Sequence, residues 1–357
     1  MALYDSIYLG AGLSAHLHAL KNSKERDNIL MIDTINRHEY RHSWCFWKSS
    51  DIIPSKLIEN QWPLWYLKNK NITVEVQSQE MPYCLVWSDR VLRHLAGAIS
   101  SRCTWNFEET VQHYHDGTVV TNKGTYKANN VFDTRLSWDD FSDETLIQDF
   151  CEFHIQFSSV NWKYRGVTLM DFLERTGEIA FCYILPMTPS EIILTTTFFG
   201  TGKYKKSTHE KILTDYLKYQ HHIEPEQYVI DRAIKGSLPM GFLKSDNNKL
   251  GVAGGGIRAS TGYAFLNQFK QAHQLMSSKS SQLDRLMDEL FLRLMKAEPE
   301  LMPNIFLQLF QTNTPEKVVR FLQSDGGIFD HLHVVSLLPK LTFLRRGIFD
   351  CFSILKQ

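Results

Sequence analysis

YDSIYLGAGLSA occupies Tyr4–Ala15, and NILMID occupies Asn28–Asp33. The first run is a short apolar strand that ends in a turn of the GxGxxA pattern, made by Gly10, Gly12 and Ala15. Leucines then recur at helical spacing, and Asp33 closes the second strand. Small residues let backbone N–H groups approach a pyrophosphate, and the terminal carboxylate can accept hydrogen bonds from a ribose. This pattern predicts a βαβ unit that binds a dinucleotide.

The composition is that of an ordinary globular chain. It has 357 residues, 43% of them hydrophobic, and 39 basic residues balance 39 acidic ones, so the overall charge gives no reason to expect a nucleic-acid partner. The six cysteines include no CxxC pair, which fits a reducing, cytoplasmic setting. We find neither a secretory leader nor an apolar run of about 18 residues, so we expect neither secretion nor a membrane span.

Strand patterns outside the first unit predict the domain organisation. Runs at residues 152–157, 167–172, 179–185 and 191–199 are apolar or alternating, which predicts an antiparallel sheet. Turn residues at 122–124 predict a hairpin over residues 118–127, and Thr314 followed by Pro315 predicts the start of a helix. We therefore expect an α/β protein with a Rossmann-like dinucleotide domain of the glutathione-reductase type and an inserted antiparallel substrate sheet. The first part of the dinucleotide domain is expected at residues 1–150, and the substrate domain at residues 151–245. Residues 246–357 are expected to form the last part of the dinucleotide domain and the C-terminal helices.

A late glycine-rich segment favours FAD over NAD as the dinucleotide. Leu250–Ala253 is a predicted strand that runs into a cluster of glycines, so that the segment reads GVAGGG at Gly251–Gly256. It resembles the segment that flavoproteins bring up to the flavin. The residues that we expect there are Gly254, Gly255, Gly256, Thr261 and Gly262. Three histidine pairs lack a third ligand at metal-binding spacing, so no metal is expected. A flavin monooxygenase usually has a GD dipeptide where this chain has Val252, Ala253 and Gly254.

The order of five motifs resembles the FAD-dependent lycopene cyclase family, particularly its bacterial members, over nearly the whole chain. Besides GAGLSA with Asp33, they are RHSWCFW at Arg41–Trp47, LMDF at Leu169–Phe172, YILPMTPSEIILTTTFF at Tyr183–Phe199, and GGGIRASTGYAF at Gly254–Phe265. The resemblance implies a noncovalent FAD that works in its reduced form, with NAD(P)H as a possible reductant. It also implies a linear carotenoid whose ends close into rings by protonation, with no net redox change.

One departure from the family concerns the acid. The resemblance implies an acidic residue on the second strand of the hairpin, where this chain has Thr195, Thr196 and Thr197. A threonine hydroxyl is too weak an acid to protonate an alkene near neutral pH. Three interpretations remain: the acid has moved, to Asp171 or Glu191; the flavoprotein acts, as an oxidoreductase or monooxygenase, on another polyene or prenylated substrate; or catalysis is lost.

Alternation along the hairpin's second strand predicts that Ile193, Thr195 and Thr197 share one face, with Thr195 over the flavin ring. A polyene or prenyl substrate partitions into the bilayer, so we also expect peripheral contact with the inner face of the membrane. The apolar residues of the helix predicted from Gln282 are one candidate surface, and burial in the core is the alternative: Leu286, Leu290, Phe291, Leu294 and Met295.

Overall fold

A computed structural model describes residues 3–244, 249–272 and 282–326. The strands in these residues are β1 (Leu3–Leu9), β2 (Ile29–Ile32), β3 (Ser43–Trp47), β4 (Ile58–Trp62), β5 (Leu64–Lys68), β6 (Thr73–Gln77), β7 (Tyr83–Trp87), β8 (Cys103–Asn106), β9 (Val111–His115), β10 (Thr118–Thr121), β11 (Thr125–Asp133), β12 (Leu146–Phe157), β13 (Val167–Phe172), β14 (Ile179–Thr188), β15 (Glu191–Gly200) and β16 (Tyr228–Met240). The α-helices are α1 (Leu13–Asn22), α2 (Ser88–Ile99), α3 (Lys206–His221), α4 (Phe265–Ala272), α5 (Gln282–Ala297), α6 (Met302–Thr312) and α7 (Pro315–Leu322).

The predicted βαβ unit forms the centre of a six-stranded sheet with the order β8-β2-β1-β11-β10-β9. Strands β8, β2, β1 and β11 are parallel, whereas β10 and β9 extend the sheet as an antiparallel edge. The apolar side chains of α1 are buried, and this helix packs beside α2 and α4. The hairpin predicted to turn at residues 122–124 is confirmed as β10 and β11.

The second large sheet has the order β16-β12-β15-β14-β13-β5-β6 and is antiparallel except between β5 and β13. It contains the strands predicted in the middle third of the chain. The expected boundary between residues 150 and 151 falls inside β12, and two strands from the first segment, β5 and β6, join this sheet. The joining of β5 and β6 to this sheet depends on pairing and register between strands that are distant in the sequence. A local sequence pattern does not specify these.

The seven-stranded sheet is covered on both faces, so β14 and β15 are buried along most of their length. Side chains of α3 pack on one face together with Phe153 and Leu194. On the other face, Ile193 and Phe199 join a core that includes Trp65 and residues of α5, α6 and α7. Because successive strand residues point to opposite faces, each strand contributes to both environments.

Two expectations for the C-terminal third are corrected. Leu250–Ala253 is not a strand: Gly251–Gly254 forms a 3₁₀ turn. Its first residue, Gly251, has a φ of 65°, and Gly255, directly after it, has a φ of 82°; a strand does not accommodate such positive angles. Of the α5 residues considered as a membrane-contacting surface, Phe291, Leu294 and Met295 are buried in the core, and Leu286 and Leu290 are only partly exposed. The alternative, burial in the core, therefore holds for most of this face.

The helix predicted to open at Thr314 and Pro315 is confirmed as α7, with Thr314 as its N-cap residue. The third expected segment, 246–357, lies partly outside the described residues. No helix in the described ranges combines the length and apolar character needed to cross a bilayer.

Candidate functional site

The first turn of the βαβ unit is built to hold a dinucleotide. Gly10 has a φ of 98°, and a Cβ there would collide with the Thr134 hydroxyl. A Cβ at Gly12 would meet no atom within 4 Å, so the backbone at the start of α1 is open to a ligand. Gly12 is the N-cap of α1, and the next two residues line the same cavity. Backbone N–H groups and the positive end of the helix dipole are therefore available to a pyrophosphate.

Asp33 lies at the end of β2 on the rim of this turn and is 6% exposed. Its carboxylate accepts hydrogen bonds from the Ala11 backbone N–H at 2.8 Å and from Arg37 Nε at 2.9 Å. Asp33 and Arg37 both line the cavity, together with Glu109 after β8. A fixed carboxylate beside an open glycine turn fits the ribose and pyrophosphate of FAD.

The late glycine-rich segment contributes to the cavity through fewer residues than its sequence predicts. Thr261 and Gly262 line the cavity, and Gly262 has a φ of 73° with Gln148 against it. The three residues Gly254, Gly255 and Gly256 do not line it. A Cβ at Gly254 would collide with the Lys249 carbonyl oxygen, and one at Gly256 would lie 2.8 Å from the Gly251 carbonyl oxygen, so these two glycines permit close packing.

Ala15, the third small residue of the first turn, is also away from the cavity. It is fully buried between α1 and the sheet with Tyr8 and Met31. A small side chain at this position lets helix and strands approach closely, which is its role in this type of turn.

One cavity of about 840 Å³ is lined both by the dinucleotide turn and by the inner face of the seven-stranded sheet. Thr195 and Thr197 line it, as predicted from the alternation, whereas Ile193 is part of the surrounding core. Thr196 points to the opposite face, where its hydroxyl hydrogen-bonds with His209 Nδ1 at 2.8 Å. Thr195, where the family resemblance implies an acidic residue, thus faces the cavity with a hydroxyl group.

Strand β12 contributes a carboxyl group to this wall that the sequence analysis did not single out. Gln148, Phe150 and Glu152 line the cavity, and their Cα partners on β15 are Phe199, Thr197 and Thr195. Glu152 is therefore directly opposite Thr195, with Tyr183 of β14 on the other side of Thr195.

Glu152 is held by hydrogen bonds at both carboxyl oxygens and is 8% exposed. The Ser43 hydroxyl donates to Oε2, and His154 Nε2 lies 2.8 Å from Oε1. Ser43 belongs to the RHSWCFW segment and also lines the cavity, whereas His154 does not. His154 stacks on Trp87, with ring centroids 5.9 Å apart, so its imidazole has a fixed position behind Glu152.

Asp171 and Glu191, the two residues predicted as alternative positions of the acid, do not line the cavity. Asp171 accepts a hydrogen bond from the Tyr216 hydroxyl of α3 at 2.7 Å, on the opposite side of the sheet. Burial raises the pKa of Asp171, although Tyr216 and Lys68 oppose the change. Glu191 is exposed at the beginning of β15. Neither residue reaches Thr195, because each points away from the cavity or lies at the hairpin end.

Aromatic rings form much of the remaining wall. Trp47 contacts Tyr83 and Tyr263 edge to face, with centroids 4.9 and 5.4 Å apart. The Tyr183 hydroxyl donates to the Tyr83 hydroxyl at 3.2 Å. Burial raises the pKa of the Cys45 thiol and of these three phenols, so all four groups remain neutral. The wall therefore presents π faces and few charges.

Of the three histidine pairs, the one at His331 and His333 lies outside the described residues. In the part of the chain that the structure describes, no three His, Cys, Asp or Glu side chains are grouped so that they could hold a metal ion.

The fold and the site define a dinucleotide-binding protein whose cofactor cleft is continuous with an aromatic-lined cavity. The family model described as lycopene cyclase protein matches residues 5–346. The chain belongs to the lycopene cyclase family. No curated protein matches it.

Solved structures that resemble the chain come from flavin enzymes and a reductase-like protein. A geranylgeranyl bacteriochlorophyll reductase-like protein from Thermoplasma acidophilum has a TM-score of 0.64 at 12% identity, covering 97% of this chain and 98% of its own. A flavin-dependent brominase has a TM-score of 0.57 at 11% identity, covering 90% and 93%. The p-nitrophenol 4-monooxygenase of Pseudomonas putida DLL-E4 has a TM-score of 0.54 at 12% identity, covering 94% and 98%. At these identities the likeness shows a shared fold.

Proposed function

We propose that this protein binds FAD and closes the end of a linear carotenoid, or of a related polyene or prenyl compound, into a ring. The observation that carries the proposal is that one cavity is lined both by Gly12 and Asp33 of the dinucleotide turn and by Thr195 and Phe199 of the seven-stranded sheet. The backbone of the turn and Asp33 would hold the phosphates and ribose of FAD, and the same cavity includes residues of the seven-stranded sheet. Membership of the lycopene cyclase family supports the same chemistry.

The residues of the cavity suit a reaction that passes through a carbocation. Apolar walls exclude water, which would otherwise capture the cation, and the rings of Trp47, Tyr83 and Tyr263 offer π faces that attract positive charge. The reduced flavin would supply a further electron-rich surface for the cation. Protonation of one double bond, ring closure and loss of a proton leave the substrate isomerised, so no net oxidation or reduction is needed.

The proposal is tested with purified protein, FAD and lycopene in liposomes. We expect the protein to take up FAD and to form cyclic product when the FAD is reduced with dithionite, and to form little when the FAD stays oxidised. A protein that shows no thermal shift with FAD would contradict the cofactor assignment. A protein that binds FAD but leaves lycopene and shorter polyenes unchanged would contradict the cyclisation.

Two observations favour a second function: the family's acidic position is Thr195 here, and the chain shares its fold with a reductase-like protein and a monooxygenase. In that case the protein is a flavin oxidoreductase or monooxygenase acting on another polyene or natural product. Here NAD(P)H would be consumed in proportion to product, whereas a cyclase needs it only to reduce the flavin once. Rapid NADPH oxidation that depends on substrate would therefore favour the second function.

We also propose that the protein docks to the membrane surface, because a carotenoid partitions into the bilayer. Burial of the α5 apolar face means that other residues would make this contact. Flotation with liposomes in the presence and absence of lycopene tests the docking, and protein that stays at the bottom of the gradient in both cases would contradict it.

A further inference from the structure

We infer that Glu152 is the proton donor of the reaction, so that the acid lies one strand away from its position in the family. This inference rests on the proposed function. Glu152 and Thr195 are direct partners in the β12–β15 register, and both side chains line the cavity. Cβ atoms of directly paired antiparallel residues lie about 4.5–5.5 Å apart. A carboxyl group extending from residue 152 can therefore serve the region that residue 195 faces.

The alternatives within the cavity are few. Three of the described residues that line it are acidic: Asp33, Glu109 and Glu152. Asp33 is bonded to the Ala11 N–H and to Arg37 at the dinucleotide turn. Glu109 follows β8 at the same end and accepts a hydrogen bond from the Thr121 hydroxyl. Glu152 is the acidic residue on the wall formed by the seven-stranded sheet, where the apolar substrate is proposed to lie.

The partners of Glu152 position it and connect it to a proton supply. The Ser43 hydroxyl donates to Oε2 and fixes the carboxyl plane. His154 Nε2 lies 2.8 Å from Oε1, and its side chain remains 21% exposed. The histidine is outside the cavity but next to the carboxyl group, so it can pass a proton from solvent without admitting water to the substrate. We assign His154 as a positioning and proton-supplying residue.

The chemistry balances without an oxidant or reductant. The O–H bond of the Glu152 carboxyl breaks, and its proton forms a C–H bond with the terminal double bond, whose π electrons are used. A second double bond attacks the resulting tertiary cation and closes the ring through a new C–C bond. A C–H bond beside the new cation then breaks, its electrons form the ring double bond, and the proton returns to the Glu152 carboxylate or to water. His154 restores the carboxyl proton in the latter case.

Glu152→Gln tests the assignment, because it keeps the size of the side chain and can still accept from Ser43. We expect cyclisation to fall by about 100-fold or more, the usual scale for loss of a general acid. FAD uptake and the melting temperature should stay close to those of the wild type. Glu75→Gln, at an exposed position on β6 of the same sheet, is the matched control and should retain full activity. His154→Gln should lower kcat and change its pH profile, while leaving FAD uptake intact.

Returning the carboxyl group to the opposite strand gives a second test. We expect the double variant Glu152→Gln, Thr195→Glu to be about tenfold more active than the single Glu152→Gln variant. The reason is that the two residues of a cross-strand pair occupy one region of the wall. Activity in wild type that survives in Glu152→Gln would overturn the assignment while leaving the proposed function in place. A wild type that takes up FAD but cyclises no polyene would instead overturn the proposed function.

A binding measurement checks the assignment without turnover. Geranylgeranyl dimethylamine carries a positive charge at its end and imitates the cation, whereas squalene has a similar apolar chain without a charge. We expect Glu152→Gln to weaken binding of the amine by about tenfold, a loss of about 1.4 kcal/mol, and to leave squalene binding unchanged. Equal loss for both compounds, or no loss for the amine, would show that the carboxyl group does not face the reacting end.

Discussion

A substitution at Gly12 tests the proposed binding of FAD. A Cβ there meets no protein atom within 4 Å, so a branched side chain is tolerated by the fold but occupies the space proposed for the pyrophosphate. We expect Gly12→Val to fold and to lose FAD affinity by about 100-fold or more, equivalent to about 2.7 kcal/mol. Titration followed by flavin fluorescence measures this.

Gly97→Val is the matched control, since a Cβ at this exposed position on α2 also meets nothing within 4 Å. It should bind FAD as the wild type does. Unchanged FAD affinity in a folded Gly12→Val protein would show that the turn has only a structural role.

His221 links the stability of the fold to pH. Burial lowers its pKa to about 3, and the charges of Lys68 and Lys163 act in the same direction. Its ring packs on Trp162, with centroids 4.5 Å apart, and Nε2 has no hydrogen-bond partner among the described residues. In the unfolded chain the pKa of a histidine is near 6.5, so below that pH the unfolded state binds a proton that the folded state excludes. The folded state is therefore stabilised by the neutral, buried His221 above pH 6.5, and this stabilisation is lost progressively as the pH falls towards 3.

Acidification from pH 7 to pH 5 lowers the unfolding free energy of the wild type partly through His221. We expect this fall to be smaller by about 1–2 kcal/mol in His221→Phe, which has no imidazole at this position. Urea unfolding at the two pH values measures the difference. His113→Phe, at an exposed position on β9, is the control and should behave as the wild type. Parallel pH dependences for His221→Phe and the wild type would mean that the imidazole can be protonated in the folded state.

Among the helices, α5 can be tested for whether its apolar face belongs to the core or contacts a membrane. Phe291 is buried and lies 6.1 Å, between ring centroids, from Phe321 of α7. We expect Phe291→Ala to cost about 3 kcal/mol or more of unfolding free energy, because it leaves a cavity in the core. Arg293→Ala, on the exposed side of the same helix, should cost less than about 1 kcal/mol. A stable Phe291→Ala protein that no longer binds liposomes would show that this face meets lipid.

The elements also show which features a sequence pattern can specify. The GAGLSA turn, the β10–β11 hairpin and α7 are encoded by neighbouring residues, and their expected positions are confirmed. The placement of Thr195 towards the cavity followed from alternation within one strand. Glu152 could not be assigned in this way, because its proximity to Thr195 depends on the register between β12 and β15. Leu250–Ala253 was predicted wrongly, since an apolar run before glycines does not distinguish a strand from a 3₁₀ turn.

At the scale of the whole molecule, the two large sheets matter because they share one cavity. The six-stranded sheet contributes Gly12 and Asp33 to its lining, and the seven-stranded sheet contributes Thr195 and Glu152. The RHSWCFW segment contributes Ser43 and other lining residues. Cofactor and polyene are therefore expected to act together, with a product that is an isomer of the substrate.

Incubation of the reduced-FAD protein with lycopene in D₂O, followed by mass spectrometry of the product, distinguishes cyclisation without net redox change from a redox reaction. We expect a product isomeric with lycopene that carries a single deuterium for each ring closed, because one proton is added from an exchangeable carboxyl group and another is lost from carbon. We also expect that no NAD(P)H is consumed in proportion to product. A product that has gained oxygen or two hydrogens, with matching NAD(P)H oxidation, would show that the protein is not a cyclase.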